Sequence, residues 1–339
     1  MESIISYLNS LPDDIEAIDI SNKNLTYIPS LDRFTKLECL FCENNQLTSF
    51  PNLPNTLKKL QCHYNQITSL PNLPNKLEIL DCYMNKLTSL PDLPDTLRIL
   101  YCDRNLLTSL PNLPNTLEEL CCGSNQLMSL PNLPNTLKIL YCYSNRLTSL
   151  TKLPNTLIEL SCSNNQLISI PHLPNTRLKI FHCNDNQLSS LPNLPQTLRL
   201  LNCAYNQLTD LPDLPNTLEE LYCENNQLTS LPNLPNTLKI LYCKNNQLTS
   251  LPHLPITFKI LYCHNNQLPF TKIEEWNKFN KLKATYYKIK FGSRLEKYYL
   301  NMISRRKREL NREVIDMVYS PDFNFYKRLL NQDVIKMFQ

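Results

Sequence analysis

A unit of 20 residues returns from about Leu11 to Leu268, reading L-P-x-L-P-x-T-L-x-x-L-x-C-x-x-N-x-L-T-S. No other feature constrains the fold as much. A unit this short cannot enclose its own leucines, so each copy must be covered by the next and the chain must grow as a stack. The 339-residue length would by itself suggest about two domains, and the repeat overrides that expectation. The copy at 50–69 has Phe50 for the first leucine, and the insertion of Arg177 in "LPNTRLKIFHC" shifts later copies by one. The first copy, "IEAIDISNKNLTYIP", has Ile20 at the cysteine position and Lys23 at the asparagine position. An atypical terminal copy is expected of a cap.

Within the unit, Leu60 and Cys62 alternate with Lys59, Gln61 and His63. That period of two predicts a short strand with Leu60 and Cys62 facing inward. The chain then turns at Asn65, whose carboxamide both donates and accepts and can satisfy backbone groups that no ladder reaches. The equivalent asparagines, Asn45 through Asn145 to Asn266, are expected to stack as an internal ladder. In "LPNLP", Pro71 and Pro74 fix φ and remove donors, so this return path is expected to be polyproline-like rather than helical. With strands about 4.8 Å apart, roughly 13 rungs make an arc on the order of 60 Å long.

The core segment L-x-x-L-x-C-x-x-N-x-L is the leucine-rich repeat signature. The "LPxLP…LxxLxCxxNxLTS" unit resembles the short, 20-residue class found in bacterial secreted effectors. Its cysteine version, with Asn, Tyr and Lys as filler, looks like the leucine-rich repeat proteins of giant DNA viruses of amoebae. The resemblance covers about residues 11–269. It implies an α/β repeat solenoid, a horseshoe with a parallel concave sheet and polyproline-like convex segments. Some bacterial relatives carry a C-terminal cysteine ubiquitin-ligase domain. The last cysteine here is Cys263, inside the repeats, so that activity is not carried over.

Cysteines from Cys42 to Cys263 recur on the inward spine, where a free thiol serves as a small hydrophobe. Their side chains run parallel without a unique pairing, and a linear column does not converge into the tetrahedron zinc requires. In "CLFC", Cys39 and Cys42 are three apart in a strand and point to opposite faces. Cys121 is expected on the concave face, a candidate reactive thiol. His63, His182 and His264 lie many rungs apart. No nucleophile–base pair stands out, and with two glycines in the chain a phosphate cradle is close to excluded. The expectation is a protein that is not an enzyme, with no catalytic residue, no metal and no cofactor.

Function should then sit on the outward strand positions. Tyrosine and isoleucine recur there, and exposed apolar patches mark partner sites. The candidate partner-binding residues are Tyr101, Ile139, Tyr141, Tyr143, Tyr222, Ile240, Tyr242, Ile260, Tyr262 and His264. Three consecutive copies carry Tyr222, Tyr242 and Tyr262 in one column, which makes the C-terminal half the expected centre of the site. The alternative is that like residues stack between rungs only to stabilise the sheet.

The period stops after Leu268. Residues 271–339 hold 16 Lys+Arg and 8 Asp+Glu, a net of +8, which leaves 34−16 = 18 basic and 30−8 = 22 acidic residues in 1–270, a net of −4. The expected division is a repeat domain at 1–270 and a basic α-helical C-terminal cap at 271–339. The cluster Arg305, Arg306, Lys307 and Arg308 assigns nucleic-acid contact to the tail as an alternative function, and a third reading has the tail recruit an enzyme. The N-terminus, "MESIISYLNSLPDDIEAIDI", lacks the pattern of a signal peptide, and no stretch approaches the roughly 18 apolar residues of a spanning helix. The reading is a cytoplasmic scaffold, in the host cytosol if the chain is viral. Its partner is expected to be a protein, with no membrane contact and nucleic acid less favoured.

Overall fold

The computed structural model describes residues 4–173, 177–255 and 257–269, together with Glu275, Lys278 and Leu282. Except at those three residues, the expected C-terminal helices lie outside the described residues, as does the Arg305–Arg308 cluster. The chain divides into two compact units, Met1–Asn206 and Gln207–Gln339.

The first unit opens with helix α1 (Ile4–Ser10), which buries Ile4 and Leu8. Strands β1 (Ala17–Asp19), β2 (Cys39–Phe41), β3 (Lys59–Gln61), β4 (Ile79–Asp81) and β5 (Ile99–Tyr101) follow. Strands β6 (Glu119–Cys121), β7 (Ile139–Tyr141), β8 (Glu159–Ser161), β9 (Ile180–His182) and β10 (Leu200–Asn202) complete it. Each pairs parallel with its sequence neighbour, Leu60 beside Leu80 and Leu80 beside Leu100. The Arg177 insertion is absorbed at an exposed position. The next register simply lengthens, with Glu159 beside Ile180 and Leu160 beside Phe181. The second unit repeats the arrangement with β11 (Glu220–Tyr222), β12 (Ile240–Tyr242) and β13 (Ile260–Tyr262), again parallel and in sequence order. Each unit is thus a parallel-strand solenoid of the expected leucine-rich kind.

The core is the inward column. Leu60, Cys62, Ile67 and their equivalents in the interior copies are fully buried, and in the last copy Cys263 is nearly so while Leu261 and Leu268 are half-buried. All fourteen cysteines are free. Burial pushes the Cys142 thiol up to about 12, so this spine is uncharged packing at physiological pH.

Two side-chain ladders tie copy to copy. Asn145 Nδ2 donates to the Cys142, Cys122 and Tyr143 carbonyls at 3.2, 3.0 and 3.2 Å. Its Oδ1 accepts from Leu127 N at 2.9 Å. One amide therefore closes its own turn and bridges to the preceding copy. The threonine after the second proline makes a second ladder: Thr136 Oγ1 donates to Leu117 O at 2.7 Å and Asn115 O at 2.8 Å. Between them lies the "LPNLP" segment, which forms neither helix nor strand. Its second proline starts a tight turn, with Leu137 N donating to Pro134 O at 3.2 Å.

The residue before each ladder asparagine, not the asparagine itself, takes the left-handed backbone. Tyr64 and Met84 have φ of 54°, and Arg104 has 49°. The asparagine ring of bonds requires this reversal, because it lets two successive carbonyls point at one Nδ2.

Candidate functional site

On the strands, residues flanking each inward leucine point away from the core. In the second unit this outward face carries the tyrosine column. Parallel register sets Tyr222 beside Tyr242 and Tyr242 beside Tyr262. Their ring centroids are 4.9 and 4.5 Å apart, tilted by 35° and 28°. Tyr222 also donates to Glu220 Oε2 at 2.8 Å. Burial first, and that carboxylate second, push its hydroxyl up to about 12. Ile240 is half-buried beside Ile260, which is 38% exposed, while Tyr262 is 46% exposed. His264 is exposed one column over. The structure therefore brings Tyr222, Ile240, Tyr242, Ile260 and Tyr262 into one surface.

A second set sits on the first unit. Tyr101 donates to Glu119 Oε2 at 2.6 Å, and Tyr141 donates to Glu159. Each tyrosine is thus oriented by the carboxylate of the following strand. Burial and that hydrogen bond raise both hydroxyls well above their usual range. Ile139 is half-buried between Glu119 and Glu159 in the adjoining column. Tyr143 lies over Gly123: a Cβ built there would meet its ring at 2.6 to 2.8 Å.

Cys121 corrects an expectation. It does occupy an outward strand position, between Tyr101 and Tyr141 in register. Yet it is only 9% exposed, because the flanking rings cover it. Burial, then the nearby Asp103 charge, raise its thiol far above the ordinary value. A buried, protonated thiol is a poor nucleophile, so Cys121 is not a reactive cysteine.

Sequence reasoning also left a polar cluster unrecognised. Asp81 and Asp103 are 9% and 6% exposed. His63 Nδ1 lies 2.9 Å from Asp81 Oδ2, and Gly123 N donates to Asp103 Oδ1 at 3.0 Å. Burial raises both carboxyls, that of Asp103 to about 6. The available signal was "CCG" at 121–123, where Cys121 and Gly123 replace the larger residues of the two adjoining copies, Tyr101 and Asp103, Tyr141 and Tyr143. Among the described residues no group of three or more His, Cys, Asp or Glu is arranged to hold a metal ion. No described helix is long and apolar enough to cross a membrane.

Comparison with known proteins follows this geometry. The family described as "Leucine Rich repeats (2 copies)" matches residues 56–95, 196–236 and 216–256. No curated protein sequence matches the chain. Among solved structures, YopM from Yersinia enterocolitica is 33% identical over 74% of this chain and 60% of that one, with a TM-score of 0.70. The chain thus spans about three-fifths of that protein. YopM from Yersinia pestis, described as a leucine-rich effector protein, is 32% identical over 75% of this chain and 84% of that one, with a TM-score of 0.58. The functional domain of InlJ from Listeria monocytogenes, described as including a cysteine ladder, is 24% identical over 78% and 66%, with a TM-score of 0.64. The last likeness is one of fold.

Proposed function

Because the chain belongs to the leucine-rich repeat family, we propose that it is a non-enzymatic scaffold whose outward strand face engages a protein partner. Repeat solenoids of this kind present extended surfaces rather than enclosed sites. The observation that carries the reading is the stack of Tyr222, Tyr242 and Tyr262 beside Ile240 and Ile260. Tyrosine-rich surface with a polar edge is the anatomy of a protein interface. The polar edge here is Glu220 on one side and His264 on the other. The resemblance to secreted effectors, and to giant-virus repeat proteins, supports a partner in a host cytosol.

The test is capture of a partner by the full-length protein, compared between Tyr242→Ala and Asn233→Ala. Asn233 is exposed in the proline segment, away from the strands. Removing a central anchor is expected to weaken binding by about 2 kcal/mol. Loss of ring stacking should cost no more than about 1.5 kcal/mol of stability. Unchanged affinity with a clear fall in stability would mark the column as sheet packing only.

A second reading rests on the net charge of +8 over residues 271–339. It has Arg305, Arg306, Lys307 and Arg308 contact nucleic acid, with the repeats as a spacer. It requires a salt-dependent mobility shift that Arg305→Glu with Arg306→Glu abolishes; a shift that survives both changes counts against it.

A further inference from the structure

The outward face of β3–β7 carries a feature that the tyrosine stack of the second unit lacks. Cys121 is small and stands in register between two tyrosines, Tyr101 and Tyr141. The neighbouring small residue, Gly123, has its space filled by the Tyr143 ring. A concavity of about 520 Å³ opens on this face, with Cys121 in its lining between the two rings. Its walls include the Tyr83, Tyr101 and Tyr141 rings, and its acidic lining is Asp81, Asp103 and Glu119.

The charge of this hollow is one-sided. No lysine or arginine lines it; His63 at its edge already sits 2.9 Å from Asp81, and Arg104 lies over the Tyr83 ring at 5.8 Å. The tyrosine hydroxyls already donate, Tyr101 to Glu119 and Tyr141 to Glu159. What remains available is π-faces and carboxylate oxygens. Buried carboxylates are costly to ionise, and burial raises both aspartates, Asp81 despite the neighbouring His63. An entering cation would offset that cost. Among cationic side chains the guanidinium suits the place best. It is flat enough to lie on tyrosine rings, carries five donors for carboxylates, and is weakly hydrated.

Resting on the scaffold reading above, we propose that the tyrosine-walled hollow over Cys121 is a docking site for an arginine side chain from a basic segment of the partner protein. Asp81, Asp103 and Glu119 supply the counter-charge, and the Tyr101 and Tyr141 rings sandwich the guanidinium. Charge complementarity selects a basic partner.

The probe is a short fluorescein-labelled Gly-Arg repeat peptide, titrated against the full-length protein and followed by anisotropy at physiological ionic strength. Its citrulline counterpart keeps the shape and loses the charge. The arginine peptide is expected to bind, and the citrulline peptide about tenfold more weakly. Asp103→Asn keeps the acceptor for Gly123 N and should weaken arginine-peptide binding about tenfold without lowering the melting temperature. Glu118→Gln is the control, because Glu118 pairs with Lys138 and Arg98 outside the hollow and its loss should leave binding unchanged. Cys121→Leu, which fills the hollow, should abolish binding; if it unfolds, Asp103→Asn decides alone. Equal binding of arginine and citrulline peptides overturns the proposal, as does unchanged binding by Asp103→Asn. An equal loss with Glu118→Gln would show diffuse charge attraction and overturns it too. If the proposal falls while Tyr242→Ala still weakens partner capture, the scaffold reading stands. If Tyr242→Ala is silent as well, both fall.

Discussion

Each repeat forces one non-glycine residue into left-handed backbone, which costs a β-carbon-bearing residue about 1–2 kcal/mol. Asparagine tolerates that region better than most, and Asn44, Asn164, Asn225, Asn245 and Asn265 occupy it. In the second unit they gain a further bond, Asn245 Nδ2 donating to Asn225 Oδ1 at 2.8 Å. Met84 adopts the same φ of 54° with an exposed side chain that offers neither benefit. Met84→Asn is therefore expected to stabilise the fold by about 0.5–1 kcal/mol, read as a higher urea midpoint; an unchanged midpoint would mean the methionine makes compensating contacts. The ladder asparagines themselves were legible, since one polar residue recurring at the end of every strand has to answer for backbone groups. The strained position before them was not. Tyr64, Met84, Arg104, Ser124 and Asp185 share no chemistry, and only the geometry of the amide reveals why the chain reverses there.

At the scale of elements, the three-residue strands were legible because Leu and Cys alternate with variable residues, and the burial of β3 follows that alternation. Helix α1 was not read. Its seven residues carry no acidic first turn and no basic last turn. Its C-terminal carbonyl is instead met from afar, Arg33 Nη2 donating to Leu8 O at 2.8 Å, a tertiary cap invisible to local patterns. The hollow between β5 and β7 was likewise hidden, because a small residue in a column becomes a cavity only once its neighbours are in register. The acid at its edge yields a signed prediction. Asp103 has a folded pKa of about 6 against an ordinary 3.8, so the folded state holds its proton more tightly than the unfolded state. Stability is accordingly lost as pH rises through that window, by about 3 kcal/mol from this group alone. Asp81 adds a loss of the same sign, its carboxyl also being raised although His63 beside it acts in the opposite direction; Tyr143, Tyr83, Cys121 and Arg104 also bear on Asp103 or its neighbours. Asp103→Asn should flatten the fall between pH 4 and 6 and raise stability at pH 7.5, measured by urea unfolding across pH. A variant with the wild-type slope would show that water reaches the carboxylate. The same substitution is expected to weaken arginine-peptide binding, and opposite signs in stability and binding distinguish a site from a scaffold defect.

For the whole molecule, the cysteine column posed the sharpest choice between packing and chemistry, and burial decides it. A thiol reacts as thiolate, and exclusion from water suppresses that form. Inward cysteines from Cys42 to Cys263 have at most 1% exposure. Cys121, which its strand phase assigned outward, is covered by the tyrosines on either side and belongs with the inert set. Phase predicts the direction a side chain points. It does not predict what lies above it, and that is why this one residue was misread while the rest of the column was not. Cys39 alone among the fourteen is half-exposed. Brief treatment of the native, full-length protein with a small maleimide should therefore modify Cys39 and leave the other thirteen unlabelled, whereas all fourteen should react in denaturant, counted by intact mass. Cys39→Ser should then leave a native protein that takes up almost no label. Fast native labelling at Cys142 or Cys223 would mean that the repeats open locally, since neither thiol can meet the reagent while the strands on both sides remain paired. Slow, progressive labelling from the terminal copies inward has a different meaning. A solenoid is held only by neighbouring copies, so its ends have one supporting interface where interior copies have two.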